Sequence, residues 1–381
     1  MIYLDNTASS PILPEVLEAM LPWFRPDHVG NPSSIHTNGL NARKAVEKAR
    51  GQVANMIGAD PSEIFFTSGG TESNNLWLAC VEPCIVSPTL ILTTKLEHYS
   101  VLKPILNEEN RDMCAEYVSV HEDGTVDLED LDRKLPEMYR IMAVSVMCVN
   151  NELGSINPLI EIGSICKKYN VLFHVDAVAA AGHIPINVHD CRIDFLSLSG
   201  HKFGAPQGIG ALYISNRIKK RSMFYGGGQE SGVRPGTENV PGIVAIGAAA
   251  EIAVRNMDHN WEHSQKLRSL FVDCMESAMP GLYRINGGSH VLPNIISLTV
   301  PGVNGESLLL MLDHHGIRVS AGSACSASSE GVSHVLHGIR MPDEDAACTI
   351  RISIGFETTE SDIKRTVDAI AKASKILIGL Y

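Results

Sequence analysis

Three polar groups of this chain stand where apolar segments end, and together they could hold and use an aldehyde. Ile193 to Leu198 is a short, bounded, β-prone run that reads as a buried strand, and Ser199-Gly200-His201-Lys202 follows at once. Gly204, Pro206, Gly208 and Gly210 come next, so Lys202 leaves the strand end on a loop with little room for solvated charge. An amine held there can lose its proton and condense with a carbonyl as a Schiff base, whereas an isolated lysine after a strand is usually a surface residue. Val171-Leu172-Phe173-His174-Val175-Asp176 is a second apolar run, and it ends in a carboxylate. A buried carboxylate needs a cation, which a protonated ring nitrogen of a bound heterocycle would supply; a solvated strand-end aspartate is the other reading. Ile64-Phe65-Phe66 reads as a third strand, and Thr67-Ser68-Gly69-Gly70-Thr71-Glu72-Ser73-Asn74-Asn75 runs from glycines into a helix start. Amides and hydroxyls there suit an anion, although an ordinary N-cap turn explains the same residues. The glycine spacing matches neither a Walker loop nor a dinucleotide fingerprint.

A lysine, a buried aspartate and a phosphate cup are the needs of pyridoxal phosphate, whose ring acts as an electron sink. With Glu97-His98, Val149-Asn150-Asn151-Glu152, Gly226 to Asn239 and Ser323-Ala324-Cys325, these stretches resemble the cysteine desulfurases of aminotransferase class V, in family order along nearly the whole chain. The most specific are Ser199 to Lys202 and the pairing of Gly226-Gly227-Gly228-Gln229-Glu230 with Arg234-Pro235-Gly236-Thr237-Glu238-Asn239. The resemblance implies a fold type I pyridoxal-phosphate transferase, an α/β protein whose large domain carries a mostly parallel seven-stranded sheet beside a smaller α/β domain. It implies removal of sulfur from L-cysteine to give L-alanine and a persulfide on Cys325, for transfer to an acceptor protein.

The same resemblance makes Lys202 the Schiff-base residue and Asp176 the partner of the ring nitrogen. His98 stacks on the ring and moves protons, and Asn151 lies near both ring and substrate. Gly70, Thr71, Ser199 and His201 hold the cofactor's phosphate end, and Thr237 reaches the phosphate of a neighbouring subunit, which implies a homodimer. Substrate contacts fall to Asn151, Asn31 and Arg351. Arg351 alternates with apolar residues in Thr349-Ile350-Arg351-Ile352-Ser353-Ile354; facing inward it would want a carboxylate, facing outward it would be a surface residue. Cys325 sits in Ser320 to Ser329, a run of small residues with no core-forming side chain but the thiol. It reads either as an inert exposed thiol or as the sulfur-accepting nucleophile that the resemblance implies. A selenocysteine lyase and a non-catalytic dimeric binding module of the same fold stay open, and a class V aminotransferase would give Cys325 no role. Ala179 departs from the family, which places a glutamine three residues after the aspartate. The acceptor is open among iron-sulfur cluster assembly, RNA thiolation and DNA sulfur modification.

The elements that must position these residues follow from composition and spacing. With 381 residues and 44% hydrophobic content the chain can bury a large core, and its net charge of -12 disfavours direct binding to nucleic acid or to an anionic membrane. Nine cysteines without a Cys-x-x-Cys pair suggest a reducing compartment, and Met1-Ile2-Tyr3-Leu4-Asp5 is unlike a secretory leader, so the expected location is the cytoplasm. Cys80 and Cys84 lack a second ligand pair, so no metal is expected. No apolar run reads as a membrane span. Strand and helix patterns alternate from Leu90 to Asp176, with strands at Leu90 to Thr93, Glu116 to Val120 and Ile141 to Met147 and helices between them. That alternation predicts a mostly parallel sheet with ligands at its carboxyl edge, where His98, Asn151, Asp176 and Lys202 fall. Pro241 to about Met279 reads as one or two long helices leading to a smaller α/β unit. The expected division is a large domain over residues 12–255 and a small one over 1–11 and 256–381 that carries the Cys325 loop.

Overall fold

The computed structural model describes residues 1–81, 89–106, 113–137, 141–321 and 333–379. In chain order the strands are β1 (Ile2–Tyr3), β2 (Ile64–Thr67), β3 (Thr89–Thr93), β4 (Met113–Tyr117), β5 (Ile141–Ser145), β6 (Leu172–Asp176), β7 (Phe195–Ser199), β8 (Gly210–Ile214), β9 (Arg284–Asn286), β10 (Ile295–Thr299), β11 (Ile317–Arg318) and β12 (Thr349–Ser353). β2 to β8 make a seven-stranded sheet in the order β2-β8-β7-β6-β5-β3-β4. β8 runs antiparallel to both neighbours, and the other pairings are parallel.

The inner strands are uninterrupted apolar runs because both faces of the sheet are covered. Phe65, Phe195 and Leu212 pack on one face with Leu76 and Trp77. The intervening Phe66, Leu196 and Leu198 face the opposite layer, where Val46, Val53 and Ile57 of the helix Thr37–Ile57 meet Ile243 and Ile246. Each fully buried side chain of this size contributes about 1.5–3 kcal/mol. β8 escaped the sequence reading because the glycines before it look like loop. Gly210 is required by close packing, since a Cβ there would lie 2.6 Å from both Gly69 Cα and Leu198 O. β4 lies a few residues earlier than the predicted 116–120, because the polar Glu116 belongs to a strand whose side chains are only half-buried.

A single helix, Val240–Ala278, connects two cores, and Asn239 caps it by accepting from Gly242 N. At 39 residues it spans ~58 Å. Its first half buries Ile243, Ile246 and Ala250 against the large sheet, and its second half buries Leu267, Phe271 and Met275 with Ile296, Leu298, Ile350 and Ile352. It is long enough, and in part apolar enough, to cross a membrane, which corrects the sequence expectation; here much of that apolar surface is covered by protein. β12, β10 and β9 form an antiparallel sheet over the second core, and β1 pairs in parallel with β11. The N-terminal segment then crosses to the large sheet, where Ser10 N donates to His201 O (2.8 Å) and Leu13 N to Gly204 O (3.0 Å). That crossing lays Thr7 and Ala8 beside Lys202.

Candidate functional site

The carboxyl ends of β5, β6 and β7 open into a pocket of about 180 Å³. A cavity of ~150 Å³ can hold benzene, so this one has room for a six-membered ring. Asp176, the last residue of β6, is 5% exposed. Its Oδ2 accepts from Asn74 Nδ2 (2.7 Å) and its Oδ1 from Val178 N (2.9 Å), which fixes the carboxylate in place. Ser199 ends β7, and His201 and Lys202 follow in the 3-10 turn Gly200–Lys202. Lys202 Nζ donates to Thr7 O (2.6 Å) and Ala8 O (3.0 Å), so backbone from the N-terminal segment helps hold the amine. Burial, with Lys202 adding to it, pushes the His201 pKa down to about 4. The ring is therefore neutral near pH 7 and adds no positive charge beside Lys202.

His98 follows β3 and lines the pocket. Burial lowers its pKa, Asp176 opposes that shift, and Lys202 and His334 reinforce it. Its Nδ1 lies 2.7 Å from Ser100 Oγ and accepts from Ser100 N at 3.1 Å. Arg351 lies in β12 and faces inward, with its side chain 3% exposed. Its fork reaches the pocket already engaged, Nη2 with Asp5 Oδ1 (2.9 Å) and Nη1 with Asn151 O (3.0 Å), while Nε has no partner among the described residues. An arginine so anchored can present its remaining N–H groups to a carboxylate. Below the pocket Glu97 is fully buried; its Oε1 accepts from Thr94 Oγ1 and Met147 N, both at 3.0 Å, and burial pushes its pKa up to about 8.

The pocket thus gathers Gly70, Thr71, His98, Asn151, Asp176, Ser199, His201, Lys202 and Arg351 from stretches far apart in the chain. Pyridoxal phosphate fits this set of donors. A fixed carboxylate suits the ring nitrogen, an amine the aldehyde, and Thr71, Ser199 and His201 the phosphate. The wall by Gly70 is tight enough that a Cβ there would meet Val178 Cγ2 at 2.6 Å, so backbone approaches the space directly. Asn31 and Thr237 are not brought to this pocket: both are exposed, and Asn31 Oδ1 accepts from Ser33 N (2.9 Å). Cys325 and Cys84 lie outside the described residues. Asn74, Ser100, Asp5 and the carbonyls of Thr7 and Ala8 were missed from the sequence. Only Asn74 carried a signal, its place in the glycine-to-helix run.

The family model described as aminotransferase class-V matches residues 2–366. A protein named cysteine desulfurase IscS from Dictyoglomus turgidum is 43% identical over 372 residues, 97% of this chain and 94% of that protein. Among solved structures, a NifS-like protein superposes with a TM-score of 0.89 at 36% identity, covering 97% of this chain and 98% of that one. The structure of SspA in complex with cysteine superposes with a TM-score of 0.80 at 32% identity, covering 93% and 99%.

Proposed function

We propose that this chain, which belongs to the aminotransferase class-V family, is a pyridoxal phosphate-dependent cysteine desulfurase that takes sulfur from L-cysteine and leaves L-alanine. The observation that carries the reading is the meeting of Asp176 and Lys202 across one ring-sized pocket, in a chain 43% identical to a cysteine desulfurase. When bound, pyridoxal phosphate supplies an electron sink for negative charge at the substrate α-carbon. Asp176, fixed by Asn74 and Val178, holds a proton at the ring nitrogen. Lys202 would hold the aldehyde, and its amine would take and return protons at the substrate's α- and β-carbons. Arg351, backed by Asp5 and Asn151, orients the substrate carboxylate.

Cys325 is the proposed nucleophile. Its thiolate attacks the substrate sulfur, so that a sulfur–sulfur bond forms as the carbon–sulfur bond breaks, and the electron pair left on carbon is protonated to give alanine. The persulfide then passes to an acceptor protein. The working unit is a homodimer in the cytoplasm, in which Thr237, exposed on its own subunit, serves the neighbour's phosphate site. The test is alanine release from L-cysteine by the cofactor-loaded protein, with persulfide located by mass spectrometry. Lys202→Ala is expected to abolish alanine release and the borohydride-reducible link to the cofactor. Cys325→Ser is expected to keep that link and lose the persulfide. Full turnover by Lys202→Ala, or sulfur arriving at the wild-type rate on another cysteine of Cys325→Ser, would overturn the assignment.

A further inference from the structure

A carboxylate, an amide, a hydroxyl and an imidazole stand in one hydrogen-bonded line beside the pocket. Asn74 Nδ2 donates to Asp176 Oδ2 (2.7 Å) and to Ser100 Oγ (2.9 Å), and Ser100 Oγ lies 2.7 Å from His98 Nδ1. Asn74 is 1% exposed and Ser100 8%, so bulk water does not compete for these bonds. The direction of each bond follows from what its partners can do. A carboxylate only accepts, so the amide nitrogen of Asn74 must face Asp176, and its second hydrogen goes to Ser100 Oγ. That hydroxyl, having accepted from Asn74, has its own hydrogen to give, and His98 Nδ1 is in line. Ser100 N also donates to Nδ1, at 3.1 Å. Two donors converge on one ring nitrogen.

We propose that Asn74 and Ser100 are positioning residues that fix neutral His98 as the Nε2–H tautomer, so that its free ring edge donates a hydrogen bond. An imidazole whose Nδ1 lone pair is occupied carries its hydrogen on Nε2, the nitrogen that Ser100 leaves free. Protonating the ring would aim an Nδ1–H at the Ser100 N–H, two donors facing each other. Among the described residues, the charged and titratable groups that act on the ring are Asp176 from β6, Lys202 after β7 and His334 from the helix His334–Gly338. Of these Asp176 favours imidazolium, and it is also the group that orders Asn74 and through it Ser100. The carboxylate meant for the cofactor nitrogen thereby sets the state of the histidine. Within the proposed reaction, His98 presents its Nε2–H toward the substrate and shares the proton transfers with Lys202.

The functional half of this inference rests on the desulfurase reading, whereas the tautomer does not, so the experiment reads the tautomer in the protein without cofactor or substrate. Two-bond proton–nitrogen correlation spectra of protein labelled with 15N-histidine distinguish Nδ1–H from Nε2–H, and His98→Gln assigns the signal. Wild type is expected to show the Nε2–H pattern from pH 6 to 8. Ser100→Ala removes one of the two donors and is expected to raise the His98 pKa by about half to one unit, the scale of one net hydrogen bond. Ser100→Thr restores the hydroxyl and is expected to return the wild-type value. Asn74→Leu frees Ser100 Oγ to accept and is expected to raise the His98 pKa, as Ser100→Ala does. An Nδ1–H signal in wild type, or equal His98 pKa values in Ser100→Ala and wild type, would overturn the proposal.

Discussion

Replacing Glu97 by glutamine should remove a pH-dependent loss of stability that the fold builds in beneath its active pocket. Glu97 is fully buried with one oxygen, Oε2, lacking a partner among the described residues, and burial raises its pKa from 4.5 to about 8. The folded state therefore holds a proton there that the unfolded chain gives up. Stability is at its fullest below the unfolded pKa of 4.5 and falls as pH rises toward and through 8. Each pH unit in that window costs about 1.4 kcal/mol while the folded carboxyl stays protonated, so the loss between pH 6 and 8 integrates to about 2 kcal/mol. Glutamine has nearly the shape of the protonated acid, keeps an acceptor and a donor end, and cannot ionise. Glu97→Gln should thus match wild type near pH 5 and be more stable than wild type by about 3.5 kcal/mol at pH 8. Urea denaturation of both proteins at pH 5, 6, 7 and 8 measures the difference. Parallel pH curves for the two proteins would refute the argument, because they would mean that Glu97 is already ionised in the fold.

Two further outcomes follow from the pocket. Arg351→Ala removes a charge-assisted carboxylate contact of about 1.5–3 kcal/mol, so affinity for L-cysteine should fall roughly 10- to 150-fold relative to cysteamine, which has no carboxylate; equal losses for both ligands would place the carboxylate elsewhere. Ala179 lines the pocket beside Asp176 and Lys202. Ala179→Gln adds an amide donor that favours the deprotonated chromophore of the loaded protein, and should lower its spectrophotometric pKa by roughly half to one unit. An unchanged or raised value would show that another donor already serves the phenolic oxygen.

By itself the sequence determined the elements and the chemical vocabulary of the site. Buried parallel strands must be apolar along their whole length, so β6 and β7 announce themselves, and the polar residues that end them, Asp176 and Ser199 to Lys202, stand out by contrast. The alternation of strand and helix gave the sheet, and the sheet's carboxyl edge gave the pocket. Tertiary structure alone decided how those residues are held. Lys202 meets carbonyls 195 and 194 residues away, and Arg351 meets Asp5 across 346, contacts that leave no period or spacing in the chain. β8 was hidden because the backbone packing that demands Gly210 exists only once Gly69 lies against it. Asn74 and Ser100 belong to different helices, and each reads as an ordinary helix-start residue. They become a hydrogen-bonded line only because Asp176, buried beside Asn74, draws the Asn74 amide toward itself, a constraint set by burial in three dimensions and by no local sequence rule.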